Sequence, residues 1–526
     1  MSDALGRGIT VTEIAAMGQP VDVTPETTAA FVGRTLRGPL NTPLLIHNVG
    51  EFRRRFGDSW ADSGMGPAVN DFFEHGGTRL FIVRVANNAR GAMICLPAAG
   101  SALVLRAVEP GSAEMLRAAV DYDGVESDDQ FNLTLQRVGK SSGHVLDQEL
   151  FQRVSYLADA DRYVVDALLT SDMARAESPL PTHRPESTVG LEHGIGVEYI
   201  EASQAGSDGT ALSDYDLVGS RAARTGIFAL DNVERFDILY LPAVSAAVDA
   251  GPTAVLAAEL YCRQRGALLI TDPRADWQDA EAAVLGLRQL GYASPNMLGY
   301  FPRIRDSRLP DEAPRPAGGA IAGLLSKLDA LHGPWQSLDL QGLGLKRHYR
   351  PAVYLAYADR TLLERSGLNG LVIDSTHRLR ITGDRTLARG TEPYRRQTKL
   401  PVQRLCLALV HAIDAATRWA VFERPSPRLA ELVQAQVSAS FLALFEHGAL
   451  ACDDFDVACN VESAAGGSPH GVELLLSFTP AGCRYPLSFT LHQTVAGCRV
   501  TSTAFAPVHR TPLSLAAPFE APTAFA

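Results

Sequence analysis

The sequence lacks the features of several common protein classes. Its 526 residues carry a net charge of −11, which disfavours nucleic acid as a partner because phosphate binding requires a basic face. No stretch approaches the ~20 apolar residues that a membrane-spanning helix needs, and residues 1–14 lack the basic and apolar segments of a secretory signal peptide. With 46% hydrophobic and 20% charged residues, the composition is that of a folded globular protein. We therefore expect a protein made and folded in the cytoplasm, with no nucleic-acid partner and no direct membrane insertion.

Cysteine is sparse, and its spacing matches none of the common metal motifs. The chain has seven cysteines, widely spaced and without a Cys-x-x-Cys pair, so reduced and mostly buried thiols are expected. Cys452 and Cys459 flank Asp453, Asp454 and Asp456, but this segment is more typical of the start of a strand than of a metal site. A P-loop, a Gly-x-Gly-x-x-Gly motif after a strand and a His-Glu-x-x-His motif are all missing. We therefore predict no metal and no cofactor.

Two short motifs resemble catalytic elements, but their surroundings favour turns. Residues 139–143 match Gly-x-Ser-x-Gly, yet the residues that follow do not open the apolar helix that a nucleophilic serine requires. His75, Gly76 and Gly77 resemble the start of an oxyanion loop, but a helix C-terminus explains the same residues. We therefore predict no catalytic residue. A hydrolase-type enzyme, with Ser141 and His144 as first candidates, is the less favoured alternative.

Hydrophobic patterning predicts a mixed α/β protein with several domains. The chain is too long for one ordinary core, so two to four domains are expected. Over residues 205–310, buried-type strands alternate with helices, which argues for parallel strands with crossover helices, and Thr253 is the predicted N-cap of one helix. Over residues 91–200, short hydrophobic runs separated by turn signals favour β structure, with a further strand candidate at 162–169.

The predicted divisions are an N-terminal arm (1–25), a core α/β part (26–90), an inserted mostly β domain (91–204), an α/β domain (205–310), a C-terminal core domain (311–480), and a C-terminal arm and tail (481–526).

Two helices and three strands are predicted near the C-terminus. Apolar residues at helical spacing indicate helices over 402–422 and 426–448, the second with Ser426 as N-cap and Pro427 at its first position. The strand candidates that follow are FDVACNV, GVELLLSFTP and RYPLSFTLHQT. The second helix has a predicted buried stripe of six apolar residues, namely Leu429, Leu432, Val433, Val437, Leu444 and Phe445.

Taken in order, these segments resemble a known family over nearly the whole chain. An arm-like GITVTEI (8–14) and the segment TAAFVGRTLRGPLNTPLLIHNVGEFRRRFG (28–57) open the match. Five further segments continue it: AVNDFFEHGGTRLFIVRVA (68–86), QAGSDGTALSDYDLVGSRAARTGIFAL (204–230), LLITDPRADW (268–277), PAGGAIAGLLSKLDALHGPWQS (316–337) and LNGLVIDSTHRLRITGDRTL (368–387). Their order is similar to that of the tail sheath proteins of contractile phages, pyocin-like bacteriocins and extracellular contractile injection systems.

The resemblance implies a structural subunit and not an enzyme. It implies an α/β core built from N- and C-terminal parts, a mostly β inserted domain and extended arms at both ends. Copies of the chain would form a helical polymer of six-fold rings around an inner tube, with baseplate and terminal cap proteins as further partners. The particle would assemble in the bacterial cytoplasm and then belong to a virion or to a released or cell-associated injection particle. A sheath-like baseplate or cap component is the second reading, because Arg7 stands where the family's arm has proline.

The resemblance also implies where copies and partners meet. Short terminal arms have too little apolar area to fold alone, so they would add strands to a neighbour's sheet. The inner-tube contact would lie on the outward side of the helix at 426–447. The expected arm-strand residues are Ile9, Val11, Glu13 and Ile14 at the N-terminus and Tyr485, Leu487, Phe489 and Leu491 near the C-terminus; the expected tube-contact residues are Arg428, Glu431, Gln434 and Gln436.

Overall fold

The computed structural model divides the chain into two compact units. The core unit comprises residues 24–407, and the terminal unit comprises residues 408–526 together with residues 1–23. The described residues are 26–113, 115–139, 143–189, 198–339, 343–388, 399–462, 471–494 and 497–501.

The core unit begins with three strands and two helices. The helix α1 starts at the cap Asn48, whose side chain accepts the N–H of Glu51, and ends at Gly57 with a φ of 89°. That positive φ explains a glycine at this position. The elements are β1 (Thr28–Gly33), β2 (Leu44–Ile46), α1 (Val49–Phe56), α2 (Met65–Glu74) and β3 (Arg79–Arg84).

The next segment is an insertion built of two antiparallel sheets over one core. The expected strand at 162–169 is wrong: Val164–Leu168 is a helix, and its first and last residues, four apart, both lie in this core, which is helical spacing. The sheet orders are β4-β5-β9 and β10-β6-β7-β8. The elements are β4 (Met93–Ala98), β5 (Ser101–Ala107), β6 (Met115–Asp121), β7 (Gln130–Val138), β8 (Val145–Ser155), α3 (Val164–Leu168), β9 (Ala174–Glu177) and β10 (Ile200–Glu201).

Alternating helices and strands complete the core unit. Thr253 is not the N-cap of α5. Gly251 holds that position, and the Asp214 carboxylate accepts the backbone N–H of Gly251 at 2.8 Å and of Thr253 at 3.0 Å. The elements are α4 (Asp214–Val218), a 3-10 helix (Gly226–Asn232), β11 (Ile238–Tyr240), α5 (Pro252–Arg265), β12 (Leu268–Thr271), α6 (Ala280–Leu290), β13 (Met297–Phe301), β14 (Ile304–Asp306), α7 (Gly318–His332), β15 (Tyr349–Pro351), α8 (Tyr357–Ser366), β16 (Asn369–Ile373) and β17 (Leu379–Thr382). The helix α9 (Leu400–Thr417) begins in the core unit, and its residues from 408 onward belong to the terminal unit.

An eight-stranded sheet with the order β17-β16-β13-β12-β11-β1-β3-β2 forms the centre of the core unit. Neighbouring strands from β16 to β3 are parallel, and β17 and β2 pair antiparallel at the edges. Both faces are covered: Ala30 and Val32 pack with α4, α5, α6 and α8, whereas Ala29 and Phe31 pack with α1, α2 and α7. Burial on both faces explains why β1 has a continuous apolar sequence. The mixed α/β class predicted from the sequence is confirmed.

The described residues of the terminal unit form helices and one antiparallel sheet. Ser426 caps α10 as predicted, accepting the N–H of Leu429 at 3.1 Å. Phe441 of α10 lies 5.2 Å from Phe478, and Phe478 lies 5.8 Å from Phe489, between ring centroids. The sheet order is β18-β19-β20-β21. The elements are a 3-10 helix (Arg418–Phe422), α10 (Pro427–Glu446), β18 (Asp456–Glu462), β19 (Gly471–Phe478), β20 (Leu487–Thr494) and β21 (Gly497–Thr501).

One helical stretch, Leu400–Phe422, is long and apolar enough by composition to cross a membrane, contrary to the expectation from the sequence. Its polar residues nevertheless make specific contacts within the folded units. Arg404 is 5% exposed and forms an ion pair with Asp329 in the core unit. Thr417 donates a hydrogen bond to the side chain of Gln493 in the terminal unit at 2.5 Å. Such contacts are typical of a core helix, because buried polar groups are stabilised by specific partners.

Candidate assembly surfaces

The first and last glycines of the Gly-x-Ser-x-Gly motif, Gly139 and Gly143, lie between two strands. The Gly139 N–H donates to the His144 carbonyl at 2.9 Å, and the Gly143 N–H donates to the Gly139 carbonyl at 2.8 Å. This turn joins β7 to β8, so the motif connects two strands and not a strand and a helix, as a nucleophile elbow does. Ser141 lies outside the described residues, and His144 is exposed. The geometry therefore favours the turn interpretation.

His75 lies at the C-terminal end of α2, and both of its ring nitrogens form hydrogen bonds. Its Nδ1 donates to the Asp71 carbonyl at 2.7 Å, and its Nε2 accepts the N–H of Lys346 at 3.2 Å. Burial lowers the pKa of His75, which keeps the ring neutral. Gly76 follows with a φ of 99°, the conformation that ends many helices. These contacts give His75 a structural role at the end of α2.

A cavity of about 310 Å³ opens at the carboxyl ends of β11 and β12, the place where α/β sheets often bind ligands. The carboxylate of Asp272, which lines the cavity, accepts a hydrogen bond from the Tyr240 hydroxyl at 2.7 Å. Burial, together with the neighbouring Asp249, raises the pKa of Asp272 to about 8. The described residues that line the cavity include no histidine, cysteine, serine or lysine. They therefore offer no serine or cysteine nucleophile paired with a histidine base.

The described residues contain no group of three or more histidine, cysteine, aspartate or glutamate side chains that could hold a metal ion. Cys459 lies in β18, as the sequence indicated for this segment. Burial raises the pKa of its thiol to about 12, so the sulfur is protonated and a poor metal ligand.

The expected C-terminal arm strand is an interior strand of the terminal unit's own sheet. Leu487, Phe489 and Leu491 lie on β20, which pairs with β19 on one side and β21 on the other, and all three are buried. A strand with both edges paired cannot add to a neighbour's sheet, so this assignment is wrong. Tyr485 precedes β20 and is 64% exposed. The N-terminal arm residues Ile9, Val11, Glu13 and Ile14 lie outside the described residues.

The two outer strands of this sheet have one paired edge each among the described strands. β18 pairs only with β19, and β21 pairs only with β20. An unpaired strand edge presents a row of backbone donors and acceptors, which is a template for an added strand. The free edges that the arm hypothesis requires are therefore at β18 and β21.

The outward side of α10 is partly apolar. Arg428 and Glu431 are exposed and Gln434 is half-buried, but Gln436 is only 8% exposed and donates to the Ala416 carbonyl at 3.2 Å. Gln436 was wrongly expected to face outward. Leu432 and Phe445, assigned to the buried stripe, are instead 44% and 36% exposed. The outward surface, here called the α10 face, consists of Leu432, Ala435, Ala439 and Leu442, which follow helical spacing.

A buried ion pair lies where the N-terminal arm joins the core unit. The Thr27 hydroxyl and the Arg404 guanidinium both donate to the carboxylate of Asp329. Asp329 belongs to α7, Thr27 directly precedes β1, and Arg404 lies in α9 four residues before the boundary with the terminal unit. One carboxylate therefore joins the root of the arm to two helices of the core unit.

Comparison with known proteins identifies the fold. No protein-family model matches the chain, and no curated protein sequence matches it. Among solved structures, the sheath tail protein of Desulfitobacterium hafniense matches with a TM-score of 0.55 at 14% identity, over 93% of this chain and 100% of that one. The sheath tail protein of Listeria innocua matches with a TM-score of 0.60 at 13% identity, over 89% and 94%. The contracted helical sheath of the anti-feeding prophage matches with a TM-score of 0.50 at 14% identity, over 98% and 99%. The chain therefore has the fold of sheath tail proteins, which confirms at the level of the fold the resemblance seen in its sequence.

Proposed function

We propose that this chain is a structural subunit of a contractile sheath that surrounds an inner tube in a phage tail or a contractile injection system. The observation that carries the proposal is the match of the fold to sheath tail proteins over about nine-tenths of the chain or more. The turn around Gly139–Gly143 agrees with a structural role, and so does a cavity whose described lining has no serine, cysteine or histidine. In this proposal the chain is not an enzyme.

Copies of the chain polymerise by strand exchange. The N-terminal arm strand, Ile9–Ile14, adds to the free edge of β18 or β21 in a neighbouring copy, where the backbone donors and acceptors are available. Because β20 is an interior strand, residues 502–526 take the place of 485–492 as the C-terminal linking segment of the proposal. Arms held by backbone hydrogen bonds keep neighbours connected while the folded units rotate. The polymer consists of six-fold rings stacked along the tube.

The inner tube meets the α10 face. Leu432 and Leu442 supply apolar area, and Arg428 and Glu431 lie at the N-terminal end of the same helix. The contact is small, which suits a surface that must release the tube. The extended sheath is then a metastable polymer that tube contacts hold in its long form, and contraction increases the area buried between copies. Contraction requires no nucleotide in this proposal, and ATP-dependent contraction driven by this chain would rule it out.

The particle assembles in the bacterial cytoplasm, with baseplate and terminal cap proteins at its ends. Negative-stain electron microscopy of the purified full-length chain tests the proposal. Hollow cylinders or stacked six-fold rings are the expected result. Monodisperse particles without polymer at high concentration would contradict the role of main sheath subunit and favour a baseplate or cap component.

A further inference from the structure

The hairpin of β14 and β15 places two arginines directly opposite each other. Arg305 of β14 lies opposite Arg350 of β15 in the antiparallel register, and like charges at opposed positions destabilise a sheet. Arg305 is exposed and forms no ion pair with a described residue. Arg350 donates to the Tyr349 carbonyl at 2.9 Å and forms no ion pair with a described carboxylate. Within the described part of the chain, the two guanidinium groups therefore lack a counter-charge.

A third cation lies beside this pair. The Arg350 guanidinium also donates to the carbonyl of Arg347, an exposed residue that forms no ion pair among the described residues. The buried carboxylate of Asp306, which follows Arg305, pairs instead with Arg308. This surface, here called the basic hairpin, therefore presents three cations to an anionic partner, namely Arg305, Arg347 and Arg350.

The negative charge of the chain is concentrated in the insertion. Residues 91–204 contain eighteen acidic and eight basic residues, so this segment carries −10 of the net charge of −11. The rest of the chain is almost neutral overall, and the basic hairpin belongs to that part. Opposite charges are thus separated onto different parts of the core unit, and each such surface attracts a partner of the opposite sign.

The segment between β6 and β7 is the densest part of the acidic surface. Residues 121–129 contain five carboxylates and no basic residue. Two of these carboxylates accept hydrogen bonds from Asn132 and Ser155 in the insertion, whereas the other three are exposed. Among the described ion pairs, one involves this exposed set, between Asp128 and Arg184 at 3.9 Å. The three exposed residues, here called the acidic turn, are Asp123, Glu126 and Asp128.

We propose that the basic hairpin of one copy binds the acidic turn of a neighbouring copy of this chain. Three cations then face three carboxylates, which offsets the repulsion between Arg305 and Arg350. No described ion pair joins the two surfaces within one copy, and a second copy is the favoured partner because the chain itself carries the complementary surface. The contact is heterologous, so it repeats from copy to copy. It deepens the proposed function, on which it rests, by naming a contact between copies that does not involve the arms.

The contact is weak and depends on salt. Exposed ion pairs contribute little individually, and dissolved salt screens charges on exposed surfaces. Several pairs that act together still favour one orientation of the two copies, because each surface attracts only the opposite sign. Association through this contact should therefore weaken as sodium chloride increases, whereas strands joined by backbone hydrogen bonds and apolar side chains should respond much less.

A specificity switch in the full-length chain tests the pairing. Two fluorescently labelled chains both carry a neutralised acidic turn (Asp123→Asn, Glu126→Gln and Asp128→Asn), so only their hairpin can form the contact. The first keeps the basic hairpin, and the second carries Arg305→Glu, Arg347→Glu and Arg350→Glu. Each is titrated with two unlabelled chains of equal net charge. One carries Asp123→Lys, Glu126→Lys and Asp128→Lys, and the other carries lysine substitutions at three exposed carboxylates elsewhere, Asp62, Asp166 and Glu281.

Each labelled chain should prefer a different partner. The basic hairpin should bind the chain with the intact acidic turn at least ten-fold more tightly than the chain with lysines in the turn. The reversed hairpin should show the opposite preference, and both preferences should shrink in about 0.5 M sodium chloride, where screening is strong. Two labelled chains with the same preference, or with no preference, would overturn the inference. Circular dichroism checks folding, and Arg305→Glu alone, at an exposed position, replaces the triple reversal should that chain not fold.

The titration and the test of the sheath role have separate outcomes. Absence of cylinders from the wild-type chain would contradict the role of main sheath subunit, whatever the titration shows. Wild-type cylinders together with equal affinities in the titration would leave the sheath role standing and refute the pairing of the basic hairpin with the acidic turn.

Discussion

The ion pair at the root of the N-terminal arm predicts a specific pattern of stability changes. Asp329→Ala leaves the Arg404 guanidinium, which is 5% exposed, without a counter-charge, and leaves the Thr27 hydroxyl without its acceptor. Removing one partner of a buried pair typically costs about 3–5 kcal/mol. Replacing both partners with apolar residues of similar size is often nearly neutral. We therefore expect the double variant Asp329→Leu with Arg404→Met to lose much less stability than Asp329→Ala.

Urea unfolding of the unpolymerised full-length chain measures this pattern. Three of the four tryptophans, Trp60, Trp277 and Trp335, lie in the core unit, so their fluorescence reports mainly on that unit. A double-mutant cycle should give a coupling of about 2 kcal/mol or more between Asp329 and Arg404, since contacting residues couple by about 0.5–3 kcal/mol. Additive losses from the single variants, or a loss below ~1 kcal/mol for Asp329→Ala, would refute the reasoning that this pair is buried and mutually dependent.

Three further predictions follow from other parts of the molecule. The folded-state pKa of Asp272 is about 8 against about 3.9 unfolded, so the folded state binds an extra proton between these values and loses stability as pH rises through them. Asp272→Asn should flatten the pH dependence of the free energy of unfolding. At pH 9 this variant should be more stable than the wild type by about 1–2 kcal/mol, after allowance for screening. An equal loss of stability with rising pH in both proteins would disprove this prediction. Gly323→Ala should lower stability by about 1–3 kcal/mol in thermal denaturation, because its Cβ would lie 2.3 Å from the Phe72 carbonyl oxygen. An unchanged thermal midpoint would show that α7, which carries Gly323, separates easily from α2, which carries Phe72. Leu432→Gln with Leu442→Gln should leave the thermal midpoint within a degree or two, since both residues are half-exposed, but abolish co-sedimentation with the inner tube; normal binding would place the tube contact elsewhere.

Much of the fold was predictable from local sequence. QFNLTLQRV forms β7 over Gln130–Val138 as expected, and Ser426 with Pro427 begins α10 as expected. In each case the deciding signal, alternation for the strand and capping chemistry for the helix, lies within the element itself. Local patterning therefore gave these elements correctly.

Three of the errors share one physical cause, which is that the deciding contact lies far along the chain. The cap of α5 is the Asp214 carboxylate, 39 residues before Thr253, so the helix began earlier than its own sequence indicated. Gln436 is buried because it reaches the Ala416 carbonyl in the preceding helix. The alternation of β20 shows a strand but not its neighbours, and β21 gives it a second partner within the chain. Tertiary partners of this kind are not visible in local periodicity.

The anchor at Asp329 also connects the fold to the proposed function. In a polymer held by exchanged arms, any load on residues 1–25 reaches the core unit through the segment at Thr27. That segment is held by the Asp329 carboxylate and, one residue later, by Asp237, which accepts the Thr28 N–H at 2.8 Å. Burial makes these hydrogen bonds costly to lose. The arm therefore begins at a firmly held position.

Removal of the N-terminal arm tests the central claim most directly. The full-length chain and a variant lacking residues 1–25 should be compared by sedimentation and negative-stain electron microscopy at equal concentration. The account predicts hollow cylinders from the full-length chain and only folded, unpolymerised subunits from the truncated one, because the edges of β18 and β21 would lack the strand that joins neighbours. Cylinders formed equally well without the arm would contradict polymerisation by strand exchange.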